Sequence, residues 1–227
     1  MLAQPAIDTR LRPLEALRAT KILIATGDTR QVFVIFRAMR GRSAARNFRR
    51  FEKTALGQAV FKDRRDLLST LNDREGLNRL PPGTLGRAYL DFMEAERLSA
   101  QGLVEASQHW DDDPVPPDVE LFRRRLREMH DLLHTVTNYG RDQLGELCLL
   151  TFVYRQQGNL GMLMIVAMAW SRLPAQARKA VREAWRNGRK ARWLAAENWE
   201  ALLARPLEEV RHDLSIHLPR FYQPLNV

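Results

Sequence analysis

Two histidines and two acidic residues lie close together in this chain, at His130, Asp131, His134 and Glu146. Neutral imidazole and carboxylate are both good ligands for a divalent metal ion. His130 and His134 are four residues apart, so a helix would place them one turn apart on one face, with Asp131 on the flank. The spacing predicts that one helix offers three ligands to a single ion.

Glu146 is expected to approach the same point from a second helix. In the intervening residues 138–142, Gly140 is a natural residue for ending a helix and Asp142 is a natural N-cap. A link this short usually joins neighbouring antiparallel helices, which would bring the two ligand-bearing faces to similar heights. We therefore expect a helical hairpin over residues 118–157 that carries the metal site.

The neighbours of Glu146 provide a second argument. Glu146, Leu150 and Val153 fall on one helical stripe, so the carboxylate is expected to point towards the core. An ionised carboxylate there is costly unless a cation or strong donors meet it. A metal ion would meet it, but a structural pair with Arg141 stays open. A phosphohydrolase site of the His-Asp type also stays open, and it would need His109 as an upstream ligand.

The chain has 227 residues, a formal net charge of +9 and a pI of about 10.4. Basic residues cluster in three stretches, 37–53, 123–127 and 186–192, and indicate an anionic surface as partner. No nucleic-acid-binding motif accompanies them, so anionic lipid is favoured over nucleic acid. The single cysteine, Cys148, cannot form an internal disulfide and is interpreted as a packed thiol in a reducing compartment.

The longest apolar run covers residues 160–170 and is too short for the roughly 20 residues that span a bilayer. It predicts a buried helix, and its methionines also suit a groove for a lipid tail, so both roles stay open. The candidate lipid-binding residues are Met162, Met164, Ile165 and Met168. Since no targeting segment is recognised, we expect a bacterial-type cytoplasmic protein, peripheral on the inner membrane.

Helical periodicity extends through nearly the whole chain and predicts an all-α fold. Residues 32–37 are β-branched and aromatic, but a lone strand would have no partner, so we predict a helix there as well. We expect a single domain over residues 1–227. In it, peripheral N-terminal helices over residues 1–60 precede a core over residues 80–215.

The motif His130-Asp131-x-x-His134-x11-Glu146 resembles the signature of the coenzyme Q (ubiquinone) biosynthesis protein four family. Similar blocks occur from about residue 70 to the end of the chain. They are Leu80-Pro81-Pro82-Gly83-Thr84-Leu85-Gly86-Arg87-Ala88-Tyr89-Leu90, Asn138-Tyr139-Gly140-Arg141-Asp142-x-x-Gly145-Glu146, Trp185-x-x-Gly188-x-x-Ala191, Trp199-Glu200 and Pro206-Leu207-Glu208-Glu209-Val210-Arg211.

The resemblance implies an all-helical enzyme that acts on the ring of coenzyme Q precursors. The implied reaction is oxidative decarboxylation at ring carbon 1 of a polyprenylated 4-hydroxybenzoate, in which hydroxyl replaces the carboxyl group. Zinc is the first choice of cofactor, with iron, manganese and cobalt also compatible with the ligands. Arg141 or Arg87 is expected to pair with the substrate carboxylate, and Tyr139 is a candidate proton donor.

The resemblance also implies partners. These are the polyprenylated aromatic substrate, other coenzyme Q biosynthesis proteins and the anionic membrane surface, and a homodimer stays open. The alternative function is a non-catalytic scaffold that holds lipid intermediates and organises the biosynthetic complex.

Overall fold

The computed structural model describes residues 7–98 and 115–224. Every regular element within these two stretches is a helix, which confirms the predicted all-α fold. The β-type contact in them is one isolated antiparallel bridge between Thr84 and Pro206. In chain order the helices are α1 (Pro13–Thr26), α2 (Gln31–Ala38), α3 (Gly41–Glu52), α4 (Ala55–Asp63), α5 (Leu67–Asn72), α6 (Arg74–Arg79), α7 (Leu85–Ala95), α8 (Pro117–Glu128), α9 (His130–Thr137), α10 (Gln143–Gln157), α11 (Leu160–Trp170), α12 (Ala175–Lys190), a 3-10 turn (Leu194–Ala196), α13 (Trp199–Leu202) and α14 (Leu207–Asp213).

The largest hydrophobic core is built from α5 onwards, with buried residues between Leu67 and Ile216. α10 crosses this core, packs along α12 and also contacts α9 and α11. Cys148 lies on α10 and is fully buried, and burial raises the pKa of its thiol to about 12, as expected of a packed thiol. Among the described helices, none has the length and apolar character required to traverse a bilayer.

A second, smaller core joins α3 and α4 to α8. Phe51 of α3 stacks on Phe122 of α8 with ring centroids 4.8 Å apart, and Val60 of α4 is completely buried beside them. This contact anchors two N-terminal helices on the helix that leads into the histidines. That residues 1–227 form one domain stays a prediction.

Arginines of the basic stretch 123–127 form ion pairs with carboxylates of the fold. Arg125 is 3% exposed and donates two hydrogen bonds of 2.7 Å to the carboxylate of Glu200. Arg124 lies 3.4 Å from an oxygen of Asp66, and Arg127 forms an ion pair with a carboxylate of its own helix. We expected this stretch to contribute to a surface for an anionic partner, but these arginines mainly hold helices together.

The predicted hairpin is present, with two differences at its helix ends. The helix expected to run from residue 118 through the histidines is divided at Met129 into α8 and α9. The residue that caps the C-terminal end of α9 is Asn138, in the left-handed conformation with φ of 58°, so the prediction of Gly140 at this position was wrong. Asparagine tolerates this conformation because its short polar side chain can hydrogen-bond locally. Asp142 is the predicted N-cap and accepts hydrogen bonds from the first turn of α10.

Candidate metal centre

His130 and His134 converge on one point from a single face of α9. Their Nε2 atoms lie 3.1 Å apart, and the two rings meet edge to face. The side chain of His134 is completely buried, whereas that of His130 is 33% exposed. One imidazole is therefore held in the interior and the other lies where solvent or a ligand can reach it.

A hydrogen bond to a backbone carbonyl fixes the position of one proton on the His134 ring. Its Nδ1 lies 2.8 Å from the carbonyl oxygen of Tyr139. Because a carbonyl can only accept, Nδ1 carries a hydrogen, and the neutral form of the ring therefore has its lone pair on Nε2, the atom nearest His130. A carbonyl partner on the second nitrogen is the usual arrangement around metal-bound histidines.

Glu146 completes the cluster from α10. One of its carboxylate oxygens lies 3.5 Å from Nε2 of His134, and the other lies 3.8 Å from Nε2 of His130. Ligand atoms of the three residues all lie within 4.8 Å of one another. In a tetrahedral zinc site with bonds of ~2.0–2.1 Å, neighbouring ligand atoms lie ~3.3 Å apart. The separation of the two nitrogens and their distances to the nearest carboxylate oxygens are close to this value, so the three residues are candidate ligands for one divalent ion.

The protonation states suit metal binding. Burial lowers the pKa of His130 to about 4, and the neighbouring His134 acts in the same direction. Burial alone would raise the pKa of Glu146, but its contacts with His134, His130 and Arg141 outweigh that effect and bring the pKa below its usual value. At neutral pH the site therefore offers a neutral His130 imidazole and a charged Glu146 carboxylate, the forms that bind metal.

The side chain of Glu146 is less buried than we expected. We expected the carboxylate to point into the core with Leu150 and Val153, but 39% of the Glu146 side chain is exposed. Glu146 lies in the first turn of α10, where the stripe reaches the edge of the core. A carboxylate at this end of a helix is also favoured by the helix dipole.

Asp131 lies beside the cluster but outside the group of three. Its side chain is buried, and burial raises its pKa above the usual value, although the charges of His134 and Arg141 act in the opposite direction. Burial and the charge of Asp131 together raise the pKa of Tyr89 on α7, a helix that packs against α9. The role of Asp131 as a fourth ligand stays a prediction.

The three predicted catalytic side chains occupy different surroundings. Arg141 lies at the cluster, with its Nε 3.6 Å from a carboxylate oxygen of Glu146. Arg87 instead donates hydrogen bonds to Asp91 and to the carbonyl oxygen of Asn78. The carbonyl of Tyr139 binds His134, but its phenol ring is buried and packs against Tyr222. Their catalytic roles stay predictions.

Tyr222, near the C-terminal end of the chain, supports the hairpin and was not foreseen. Its hydroxyl donates to the carboxylate of Asp142 and accepts a hydrogen bond of 2.9 Å from the backbone N–H of Gly140. A Cβ on Gly140 would lie 2.6 Å from this hydroxyl, and a Cβ on Gly145 would lie 2.1 Å from the carbonyl oxygen of Gly140. A side chain at either position would collide with these atoms, which explains why both residues are glycine.

Arg211 of α14 supports the other side of α9. Its guanidinium donates to the carbonyl oxygens of Val136 and Thr135, at 2.9 and 3.0 Å. These carbonyls belong to the last turn of α9, which lacks helical partners for them. Phe92 of α7 stacks on the His134 ring, with centroids 5.7 Å apart. Neither contact could be assigned from local spacing.

The candidate lipid-binding residues lie on α11. Met162 is buried in the main core, while Met164, Ile165 and Met168 are half-buried. The helix therefore contributes to core packing through one face, and its lipid-binding role stays a prediction. The upstream histidine of the phosphohydrolase alternative, His109, lies outside the described residues.

Fold and site together define an all-helical protein with a candidate metal centre on a helical hairpin. Residues 18–220 match the sequence pattern of the family described as coenzyme Q (ubiquinone) biosynthesis protein Coq4. The chain belongs to this family.

Named relatives agree with this assignment. The mitochondrial ubiquinone biosynthesis protein COQ4 homologue of Danio rerio is 34% identical over 72% of this chain and 60% of its own length. The corresponding protein of Rattus norvegicus is 32% identical over 74% of this chain and 63% of its own length. The chain thus spans about 60% of the length of these curated relatives.

A solved structure supports the fold. The crystal structure of a candidate ubiquinone biosynthesis protein from Nostoc punctiforme PCC 73102 superposes with a TM-score of 0.65. The match covers 92% of this chain and 100% of the other, at 22% sequence identity. At this identity the likeness establishes a shared fold.

Proposed function

We propose that this protein is a metal-dependent enzyme of ubiquinone biosynthesis that decarboxylates and hydroxylates ring carbon 1 of a polyprenylated 4-hydroxybenzoate. The observation that carries the proposal is the convergence of His130, His134 and Glu146, with Arg141 beside them. The two histidines and Glu146 supply ligands of the types used by catalytic zinc and iron sites, and Arg141 supplies a positive charge. Asp131 is the candidate for a further ligand.

The overall change can be balanced without reference to a particular intermediate. The aromatic acid and water give the phenol and carbon dioxide, with release of two protons and two electrons. The ring carbon loses its bond to the carboxyl carbon and gains one to oxygen. The two electrons pass to a co-reactant of the class of two-electron acceptors, such as dioxygen.

Each residue at the site has a defined task in this proposal. The guanidinium of Arg141 pairs with the substrate carboxylate, because its 36% exposed side chain lies at the open edge of the cluster. The Tyr139 carbonyl holds His134 in the tautomer that leaves Nε2 free. A divalent ion bound by the cluster, zinc as first choice, would supply Lewis-acid activation of the substrate or of water.

A scaffold function is the second candidate, and one observation favours it. The side chains of Arg87 and Tyr139 are engaged away from the cluster, so Arg141 is the predicted catalytic side chain that remains beside the candidate ligands. A chain that only binds the substrate and presents it to other coenzyme Q biosynthesis proteins would need no catalytic side chain besides Arg141. A polyprenyl tail would lie along the half-buried residues of α11, led by Met164 and Met168.

The proposed place of action is the surface of the inner membrane, on its cytoplasmic side, because the substrate's polyprenyl tail resides in lipid. The named relatives are mitochondrial proteins. A homodimer and direct contacts with other pathway proteins are part of the same proposal.

The test compares purified full chain and its Glu146→Gln variant, each reconstituted with zinc, iron, manganese or cobalt. A prenylated 4-hydroxybenzoate in detergent and an electron acceptor are added, and the carbon dioxide and hydroxylated ring are quantified. The enzyme proposal expects turnover with at least one metal and its loss in the variant. Glu96→Gln is the matched control, because Glu96 is an exposed glutamate on another helix end. Tight substrate binding without turnover under all conditions would reject the enzyme and support the scaffold.

A further inference from the structure

The first helix presents bulky apolar side chains outwards. Seven large hydrophobic side chains are exposed in the parts of the chain that the structure describes, and five of them belong to α1 or directly precede it. Leu14 is 71% exposed, the highest value among them. We call the outer face of α1 the set Leu11, Leu14, Leu17, Ile22 and Ile24, together with the exposed Arg18 and Lys21.

The opposite face of α1 explains why the bulky residues point outwards. The buried residues of the helix are Ala16, Ala19 and Thr20, which are small and pack against α2. A surface helix of a globular protein normally turns its large apolar residues inwards. α1 does the reverse, and core packing therefore does not account for the leucines and isoleucines.

Two contacts hold α1 in this orientation. The backbone N–H of Arg12 donates to the carbonyl oxygen of Ala38 over 2.8 Å, and Glu15 forms an ion pair with Arg37. Both link the start of α1 to the end of α2. The apolar side chains are thus displayed by a helix that is fixed to its neighbour.

The charges on the outer face have one sign. On a helical projection Arg18 and Lys21 lie among the exposed leucines, within ~60° of each other. Neither forms an ion pair within the described residues, whereas Glu15, the acidic residue of α1, lies on the flank and is paired. The face therefore combines apolar side chains with two cations and has no exposed carboxylate.

We propose that the outer face of α1 is a docking surface for an anionic lipid bilayer. The leucines and isoleucines enter the boundary between headgroups and acyl chains, and Arg18 and Lys21 bind lipid phosphates. This combination is the one by which interfacial helices bind membranes. The inference deepens the proposed function, since it rests on action at a membrane and assigns the surface that makes the contact.

The same charges disfavour a second copy of the chain as occupant. If two outer faces packed together, the exposed Arg18 and Lys21 of one copy would enter an interface that already holds the same two cations of the other. Like charges enclosed in an interface oppose association. An anionic bilayer instead offers counter-charges at every position along the helix.

Helix α11 packs on the same helix as α1 and carries further apolar side chains. Asn159 at its start donates to the carbonyl oxygen of Phe36 on α2, at 3.1 Å. Leu160 is 41% exposed, and α11 carries the half-buried methionines proposed to contact a polyprenyl tail. α1 and α11 both pack on α2, so one helix separates the proposed tail-binding helix from the docking helix.

The experiment measures binding of the full chain to vesicles of phosphatidylcholine with or without one third phosphatidylglycerol. Arg18→Gln with Lys21→Gln should weaken binding to anionic vesicles by roughly 30-fold, since each well-placed cation is worth ~1 kcal/mol, or about fivefold. Leu14→Gln with Leu17→Gln should weaken it at least as much. The matched comparison is Arg186→Gln with Arg189→Gln in the exposed basic stretch 186–192, the competing surface for an anionic partner, and the apolar control is the exposed Leu218→Gln. These controls should bind nearly as the wild type does.

Several results would overturn the proposal. These are equal binding to both vesicle types, an equal loss in the α12 control, or a self-associating wild type that the Leu14 and Leu17 substitutions make monomeric. Metal content is measured on the same samples. It should be unchanged in every α1 variant, so a failure of lipid docking is distinguished from a failure of the metal centre.

Discussion

The hydroxyl of Tyr222 donates a hydrogen bond to the carboxylate of Asp142, 80 residues earlier in the chain. Asp142 caps α10, which carries Glu146 in its first turn. The same hydroxyl accepts the N–H of Gly140, which follows the residue whose carbonyl binds His134. One tyrosine thus ties together the two helix ends that present the candidate metal ligands.

Replacement of Tyr222 by phenylalanine should weaken the hairpin turn. The N–H of Gly140 loses its partner and Asp142 loses one donor, so the free energy of unfolding should fall by about 1–2 kcal/mol. Urea denaturation measures this change. Tyr154→Phe is the matched control, because Tyr154 is also half-buried and packs on a tryptophan through its ring. An equal loss in both variants would show that the hydroxyl of Tyr222 has no special role.

Glu146→Gln should weaken metal binding and leave the fold intact. Glutamine keeps the shape but removes the charge, and loss of even an outer-sphere partner typically costs 10–100-fold in metal affinity. We therefore expect a loss of roughly 100-fold or more. Because the side chain is 39% exposed, metal-free stability should change by about 1 kcal/mol or less. Calorimetric titration of the metal-free protein and thermal melts measure the two effects, and unchanged affinity would remove Glu146 from the site.

Arg211→Lys should destabilise the end of α9. Lysine cannot bind the carbonyl oxygens of Val136 and Thr135 together as the planar guanidinium does. The loss should be about 1–3 kcal/mol in the free energy of unfolding, since a buried carbonyl is left without its donor. Arg205→Lys provides the comparison on an exposed ion pair and should change stability much less than Arg211→Lys does. A reversed order of the two variants would argue against the anchoring role.

The Arg125–Glu200 pair predicts a specific acid sensitivity. Burial raises the pKa of Glu200, but the hydrogen bonds and charge of Arg125 outweigh it, so the folded-state pKa lies below the usual value. The pair therefore stabilises the fold fully above the unfolded-state pKa of about 4.3, and this contribution is lost as pH falls through the folded-state pKa.

Glu200→Gln should remove this component of the pH dependence. Between pH 5 and 2 the wild type should lose stability more steeply than the variant, by at most about 1.4 kcal/mol per pH unit. Denaturant titrations at each pH measure the two slopes. Parallel slopes would show that Glu200 does not titrate as the Arg125 contact requires.

Local features of the hairpin were predictable from the sequence. The two histidines lie four residues apart, and this spacing alone places both on one face of α9. Asp142 is an N-cap because its carboxylate binds the N–H groups two and three residues on, a contact that needs no other part of the chain. Short-range geometry was therefore sufficient to predict the hairpin and the approach of Glu146 to the histidines.

Long-range contacts account for what the sequence did not reveal. Gly140 was assigned to end a helix, but its N–H and its missing side chain are explained by Tyr222, 82 residues later. Arg125 was assigned to a basic stretch for an anionic partner, yet it is buried and paired with Glu200 of α13, 75 residues later. The depth of Glu146 was overestimated, because periodicity gives the face of a helix but not where the core ends along it.

The metal content of the purified full chain tests the central claim most directly. After reconstitution with zinc, elemental analysis should find about one ion per chain in the wild type and essentially none in His134→Ala, which removes the buried ligand of the cluster. His212→Ala, on an exposed histidine of α14, should retain the ion. A wild type that retains none of zinc, iron, manganese and cobalt, or a His134→Ala protein with undiminished metal, would contradict the account.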